Sequence, residues 1–305
     1  NYNSINVYAT YNKDFGNHHF KVMAGFNQES SYQETLDTYS YNQAVLDVPA
    51  MSSGTGTIKA TDSYSEYAIR GGFFRVNYNY LDKYLLEVNG RYDGSSKFPK
   101  SSRFGFFPSV SAGWQIAQER FMNSTRHWLD GLKLRASYGV IGNQNINPYT
   151  FTPSMSVNNK ATSWIIDDTY VTYISSLPAL VSQNFTWEKV GTINVGLDVN
   201  LFNNRLSGVF EWYQRNTNGM LAPGVQLPAV VGASAPYQNT ADMRTRGWEL
   251  SLNWRDQIGK VGYRIGFNLS DYKSEIIKYD DNAATKLLSS YYPGQTLGEI
   301  WGYIV

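Results

Sequence analysis

Residues 73–114 read FFRVNYNYLDKYLLEVNGRYDGSSKFPKSSRFGFFPSVSAGW, and apolar and polar side chains alternate along most of this stretch. Phe74, Val76, Tyr78 and Tyr80 alternate with Arg75, Asn77 and Asn79. Beyond Leu81-Asp82-Lys83, Leu86, Val88, Gly90 and Tyr92 alternate with Glu87, Asn89, Arg91 and Asp93. Phe106, Pro108, Val110, Ala112 and Trp114 then alternate with Phe107, Ser109, Ser111 and Gly113. Successive residues of a strand point to opposite faces of a sheet, so one face is aromatic and aliphatic and the other carries amides and full charges. A soluble sandwich buries its apolar face under a second sheet. A membrane barrel turns that face to lipid and the charged face to a wet lumen.

The rest of the chain extends the pattern. Ser4–Asn12 and His19–Asn27 form a first hairpin around Asp14–Asn17, with Ile5, Val7, Ala9 and Tyr11 on the same face as Phe20, Val22, Ala24 and Phe26. The hairpin 186–202/205–215 turns at Asn203-Asn204, where Asn accepts the positive φ of a tight turn. Its register sets Leu201 opposite Leu206, Leu197 opposite Phe210 and Val195 opposite Trp212, and a slip of one residue would mix the faces. A last hairpin, 246–255/261–271, sets Trp248, Leu250, Leu252 and Trp254 opposite Phe267, Ile265, Tyr263 and Val261. A short helical segment is expected at 117–131 and a strand at 132–139. Segments 30–63, 140–185 and 216–245 read as long loops, 94–103 as a polar hairpin loop, and 272–305 as mostly loop. Ten strands result, joined alternately by short and longer connections, as in outer-membrane barrels with tight periplasmic turns and long outer loops.

Composition narrows the function classes. The chain has 305 residues, a net charge of +1 and no cysteine. No basic footprint for nucleic acid exists, and neither a disulfide nor a thiolate site is possible. Mean hydropathy is −0.40, and no apolar run is long enough for a spanning helix, which leaves a strand-built membrane protein open. Aromatic residues make up 15%, with 24 Tyr and 8 Trp, which suits the two interfacial girdles of a barrel and also suits a carbohydrate-binding protein. The opening NYNSINVYATYNKDF is already strand-like and has no charged n-region followed by an apolar h-region, so no signal peptide is expected in it.

No catalytic set can be assembled, and the reading is of a protein that is not an enzyme and needs no cofactor. G-x-S-x-G is absent. Asp93–Phe98 lacks P-loop spacing, and Asp167-Asp168 and Asp280–Asn282 lack the framework of a calcium loop. His18 and His19 are neighbours on a strand and point apart, so no metal site is expected. The charges expected to face the lumen include Glu87, Arg91, Asp198, Glu211, Glu249 and Arg264, paired mostly with one another. The aromatics Tyr39, Tyr41, Trp164, Tyr170, Tyr173 and Tyr237, with Tyr32, fall in the long segments. There, rigid ring faces suit contact with a solute or a lid.

Several stretches resemble the SusC/RagA family of TonB-dependent outer-membrane transporters of Bacteroidota. They are Arg75–Tyr80 with Asp82–Glu87, Asp93–Phe98, Arg103–Trp114, Leu132–Gly139 with Gly142–Gln144, Trp187-Glu188, Gly196–Asp198, Leu201–Arg205, Arg246–Leu250, Gly294–Gly298 and Trp301–Tyr303. The resemblance implies an all-β, antiparallel transmembrane barrel, of which residues 1–305 would be a partial, open, roughly ten-stranded segment. On that reading the plug, TonB box, signal peptide and closing strands are absent. It also implies residence in the outer membrane and TonB-energised import of oligosaccharides or oligopeptides, with a SusD-like surface lipoprotein as lid. Two alternatives are a siderophore-type TonB-dependent receptor and a secreted aromatic-rich β-sandwich lectin or adhesin. The last predicts a covered Leu250/Ile265 face.

Overall fold

The computed structural model describes residues 1–44, 47, 50–155, 157–158, 165–166, 169–170, 174–175, 178–182, 185–224, 227–279, 291–300 and 302, with backbone alone at the four two-residue segments and at Pro223. Ten strands form one antiparallel sheet in chain order: β1 (Tyr2–Phe15), β2 (His18–Ser40), β3 (Ile58–Tyr80), β4 (Tyr84–Ser95), β5 (Phe104–Gln115), β6 (Leu129–Asn143), β11 (Glu188–Leu201), β12 (Leu206–Pro223), β13 (Tyr237–Ile258) and β14 (Val261–Tyr279). Two small pairs lie between β6 and β11: β7 (Val157–Asn158) with β10 (Ile174–Ser175), and β8 (Ile165–Ile166) with β9 (Thr169–Tyr170). Among the described residues β1 and β14 each have one neighbour, so the sheet is open. Tight turns stand at one end, at Gly16, Leu81-Asp82, Phe202–Asn204 and Gly259, all with positive φ.

The hairpin read around Asn203-Asn204 has the expected register, with Leu201↔Leu206, Leu197↔Phe210 and Val195↔Trp212. The last hairpin does not. Leu250 pairs with Leu269 and Trp254 with Ile265, a displacement of four residues from the expected partners. Its turn is the two-residue Gly259-Lys260, tighter than the five-residue loop expected. The displacement is even, so every side chain keeps its face.

The strands are also longer than the hydrophobic pattern indicates. β2 and β3 remain paired from Ser31↔Tyr67 to Ser40↔Ile58, so segment 30–63 is a ribbon with a tip at 41–57. β12 reaches Pro223 and β13 starts at Tyr237, which shortens the loop expected at 216–245 to 224–236. β6 runs to Asn143 and β14 to Tyr279. The β2–β3 ribbon is mostly exposed on both faces, whereas the added ends of β12, β13 and β14 bury Thr217, Ala222, Thr240, Ala241, Ser274 and Ile276. Neither case has the one-sided apolar alternation that marks a lipid-facing strand. The helical segment is two 3-10 turns, Ile116–Gln118 and Arg120–Thr125.

Among the described residues no second sheet covers the apolar face. Ile265 is 63% exposed, Phe210 44% and Val195 40%, which removes the sandwich alternative. Near the short-turn end this face carries an aromatic row: His18 packs on Tyr80, Tyr80 stacks on Tyr84, Tyr84 on Trp114, and Trp114 meets Phe121 edge-on. Such a row matches an interfacial girdle. Hollows of about 660 and 830 Å³ lie against the polar face. The first reaches from Asn12 on β1 to Asn194 on β11, so the polar face is the concave one.

Candidate functional site

The concave wall is built from rungs of polar residues. One rung runs Lys21, Asn77, Glu87, Ser111, Ser137, Asn194 across six strands. Within it the amides of Asn77 and Asn89 donate to the Glu87 carboxylate, which lies 3.9 Å from Arg75. Higher on β4, Arg91 makes a two-pronged contact with Asp93, both bonds 2.9 Å.

The strongest cluster crosses three strands. Arg135 on β6 donates to Asp198 at 3.1 Å and also to Glu211 on β12. Gly196 of β11 stands between Arg135 and Glu211 on the same rung. A Cβ at Gly196 would lie 2.6 Å from the guanidinium carbon, so glycine is what lets the arginine cross the strand. Asn194 adds a 3.1 Å bond to the free oxygen of Glu211. These half-buried charges satisfy one another, as charges withdrawn from water must.

At the long-loop end the wall parts. The β5–β6 ladder stops at Ser109↔Gly139, although both strands continue. A small core of Phe98, Phe107, Phe185 and Trp187 lies at this end, with Phe98 fully buried. Three bonds pin it: Trp187 Nε1 to Arg103 O at 2.9 Å, Ser102 Oγ to Phe185 O at 2.8 Å, and Thr186 Oγ1 to Ser102 O at 2.7 Å. The segment expected to be a plain polar loop therefore carries the best-buried side chain described. Its signal was Phe98 among polar neighbours, with Trp187 as its distant partner. Beside this core, residues 149–154, 178–182, 185 and 232–237 enclose a rim hollow of about 450 Å³.

The six charges expected to face a lumen, Glu87, Arg91, Asp198, Glu211, Glu249 and Arg264, share the concave face. Glu87, Arg91, Asp198 and Glu211 are engaged as above. Arg264 donates to Asn253 at 3.0 Å, and Glu249 makes no side-chain contact with the described residues. Tyr237 is the first residue of β13 and lines the rim hollow. Tyr39 lies on the ribbon opposite Lys59, Tyr41 follows the ribbon, and Tyr32 sits at its base with its hydroxyl 3.5 Å from Glu34. Tyr170 belongs to β9, where only backbone is described, and Trp164 and Tyr173 lie outside the described residues, as do Asp167, Asp168 and Asp280–Asn282.

At the short-turn end, Glu119 gathers bonds from the Tyr84 hydroxyl at 2.7 Å and Trp114 Nε1 at 3.2 Å, with Lys83 Nζ at 3.5 Å. The Tyr84 and Trp114 donors, helped by Lys83, hold its carboxyl below the ordinary carboxylate range. His18 meets the Tyr78 hydroxyl and His19 meets Asp14, on opposite faces, and no metal-ligating cluster occurs among the described residues.

Residues 1–300 match the family model described as TonB dependent receptor-like, beta-barrel. The chain is 30% identical over 316 residues to a TonB-dependent receptor of Formosa agariphila, covering 97% of this chain and 30% of the relative. It is 32% identical over 283 residues to the TonB-dependent receptor SusC of Bacteroides thetaiotaomicron, covering 90% of this chain and 27% of SusC. A structure of the RagAB peptide importer in its closed-closed state superposes with a TM-score of 0.79 at 26% identity, over 91% of this chain and 30% of that one. The chain thus spans about 30% of the length of these relatives.

Proposed function

Because this chain belongs to the TonB-dependent receptor-like β-barrel family, an outer-membrane family of transporters of the SusC/RagA type, we propose that it forms part of the wall of an importer for oligosaccharides or oligopeptides. TonB energises the import and a SusD-like surface lipoprotein closes the outer mouth. The supporting observation is the division of the faces. Exposed apolar side chains clothe the convex side, while the concave side holds a polar wall, with charges paired at Arg91–Asp93 and Arg135–Asp198–Glu211, leading from the rim to the short-turn end. The likeness to the RagAB peptide importer gives the oligopeptide class its weight, and the resemblance to the SusC/RagA family carries the oligosaccharide class.

Tyr237, Tyr39, Tyr41, Trp164, Tyr170 and Tyr173 are proposed as rim contacts for solute or lid, with Tyr237 already placed at a hollow of suitable size. The test is uptake of labelled oligosaccharides and oligopeptides by cells carrying the full-length gene, with and without TonB. TonB-dependent uptake of either class, reduced when Trp164, Tyr173 and Tyr237 are together changed to alanine, supports the proposal. TonB-dependent uptake confined to an iron-siderophore complex overturns it in favour of a siderophore receptor.

A further inference from the structure

The convex face of β11–β14 changes character abruptly toward the long-loop end. On β13, Ile258, Trp254, Leu252, Leu250 and Trp248 face outward, and 248–258 is the length of one barrel crossing of about 9–11 residues. On β14 the same length runs from Val261 to Asp271. The next outward residues are Arg246 and Lys273, which face each other across the ladder, followed by Arg244 opposite Glu275. Lys189 of β11 projects from the same face two strands away.

Like charges directly opposite each other destabilise a sheet. Here the pair is not relieved from within. Arg246 places its Nε on Gln214 Oε1 at 2.8 Å and Arg244 its Nε on Asn216 Oδ1 at 3.2 Å. These bonds leave the terminal nitrogens of both forks free, and Lys273 and Lys189 have no side-chain partner among the described residues. The acids nearby are Asp271, one rung below, Glu275, one rung above, and Asp242, whose Oδ1 accepts from Gly219 N at 2.7 Å. The four cations thus outnumber three anions, and no ion pair is found between these residues. Elsewhere the corresponding outward positions are Gln28, Gly94 and a single cation, Arg70, which lies over the Phe104 ring at 5.7 Å.

We propose that this basic shelf binds the phosphorylated headgroup of the outer-leaflet glycolipid. The location selects the ligand: the shelf starts just above the Phe210–Trp248 aromatic contact at the upper end of the apolar band, where headgroups lie. Arginine forks with free terminal nitrogens match phosphate oxygens two at a time, and a lysine adds a point charge. The shelf points away from the lumen, so its ligand is distinct from the imported solute.

The experiment uses the full-length protein, delipidated in detergent and read by native mass spectrometry with lipid A and with dephosphorylated lipid A as probes. Lipid A is expected to bind at least tenfold more tightly than its dephosphorylated form. The triple variant Arg244→Gln/Arg246→Gln/Lys273→Gln is expected to lose that preference while solute uptake continues. Heat-modifiable migration in gels reports whether the variant barrel has assembled. If the triple variant does not assemble, Lys273→Gln alone, which removes an exposed side chain without contacts, is read instead, with about a threefold loss expected. Equal binding of the two probes, or an unchanged preference in the assembled variant, overturns the proposal.

Discussion

At the scale of single residues, Gly196 decides whether the three-strand charge cluster exists. Arg135 reaches Glu211 only by lying over the bare backbone of β11. Gly196→Ala is expected to push the guanidinium aside and leave Asp198 and Glu211 short of a partner, at a cost of about 1–3 kcal/mol. Urea titration of the refolded full-length barrel measures it. The same substitution in an Arg135→Ala background should cost far less, since the clash is then gone. The sequence shows a glycine at a polar-face position but not what passes over it, because the arginine comes from 61 positions earlier in the chain. Glu119 gives a pH signature. Its carboxyl is held below the ordinary value of 4.5, so its contribution to stability is complete above that value and is lost as pH falls through the lower folded one. Acid titration of the full-length protein, read by Trp fluorescence, should show the short-turn end loosening only below about pH 4.5. Glu119→Gln should remove that step, because an amide does not titrate.

At the scale of elements, what could be read from the sequence depends on where each strand stands. Strands that cross the membrane separate an apolar face from a polar one, and their register was readable to the residue at Leu201↔Leu206. The ribbon 31–40/58–67 is mostly exposed on both faces and the tops of β12 and β13 pack against the rim, and neither has such a contrast. They were readable only as polar segments, although their hydrogen-bond ladders are intact. Leu250→Arg places a charge in the middle of a crossing strand and is expected to destabilise the barrel by about 2–4 kcal/mol, measured by equilibrium folding into vesicles. The ribbon predicts a pattern in hydrogen exchange. Tyr32 exchanges backbone bonds with Asn1, and Ala68 donates its N–H to Ser96 Oγ and accepts from Ser96 N, both away from the β2–β3 ladder. By alternation the N–H groups of Glu34, Leu36 and Thr38 point to an open edge, and those of Gln33, Thr35 and Asp37 point into the ladder. The first set should exchange much faster than the second in the full-length protein.

At the scale of the whole molecule, among the described residues the sheet has an unpartnered edge at β1 and along most of β14, where only Ser274–Ile276 bond to residues 294–297, and lipid does not tolerate such edges. Expressed by itself in vesicles, the 305-residue chain should show no heat-modifiable barrel band, whereas the full-length protein should. The small core at Phe98 and Trp187 was not readable because its members come from three separate stretches, around 98, 107 and 185–187, and no local pattern shows that they meet. The β2–β3 ladder has a mechanical consequence. It runs without a bulge from His18↔Tyr80 to Ser40↔Ile58, and its outer part has no flanking strand beyond Tyr2 and Ser95. At about 3.3 Å per residue the free part is a cantilever some 30 Å long, rooted in the wall. A load on its tip cannot be relieved along the beam, which contains no hinge. Bending concentrates at the root, near Ser31 and Ile69, and a lid resting on the tip would deliver its torque to the membrane edge of the barrel.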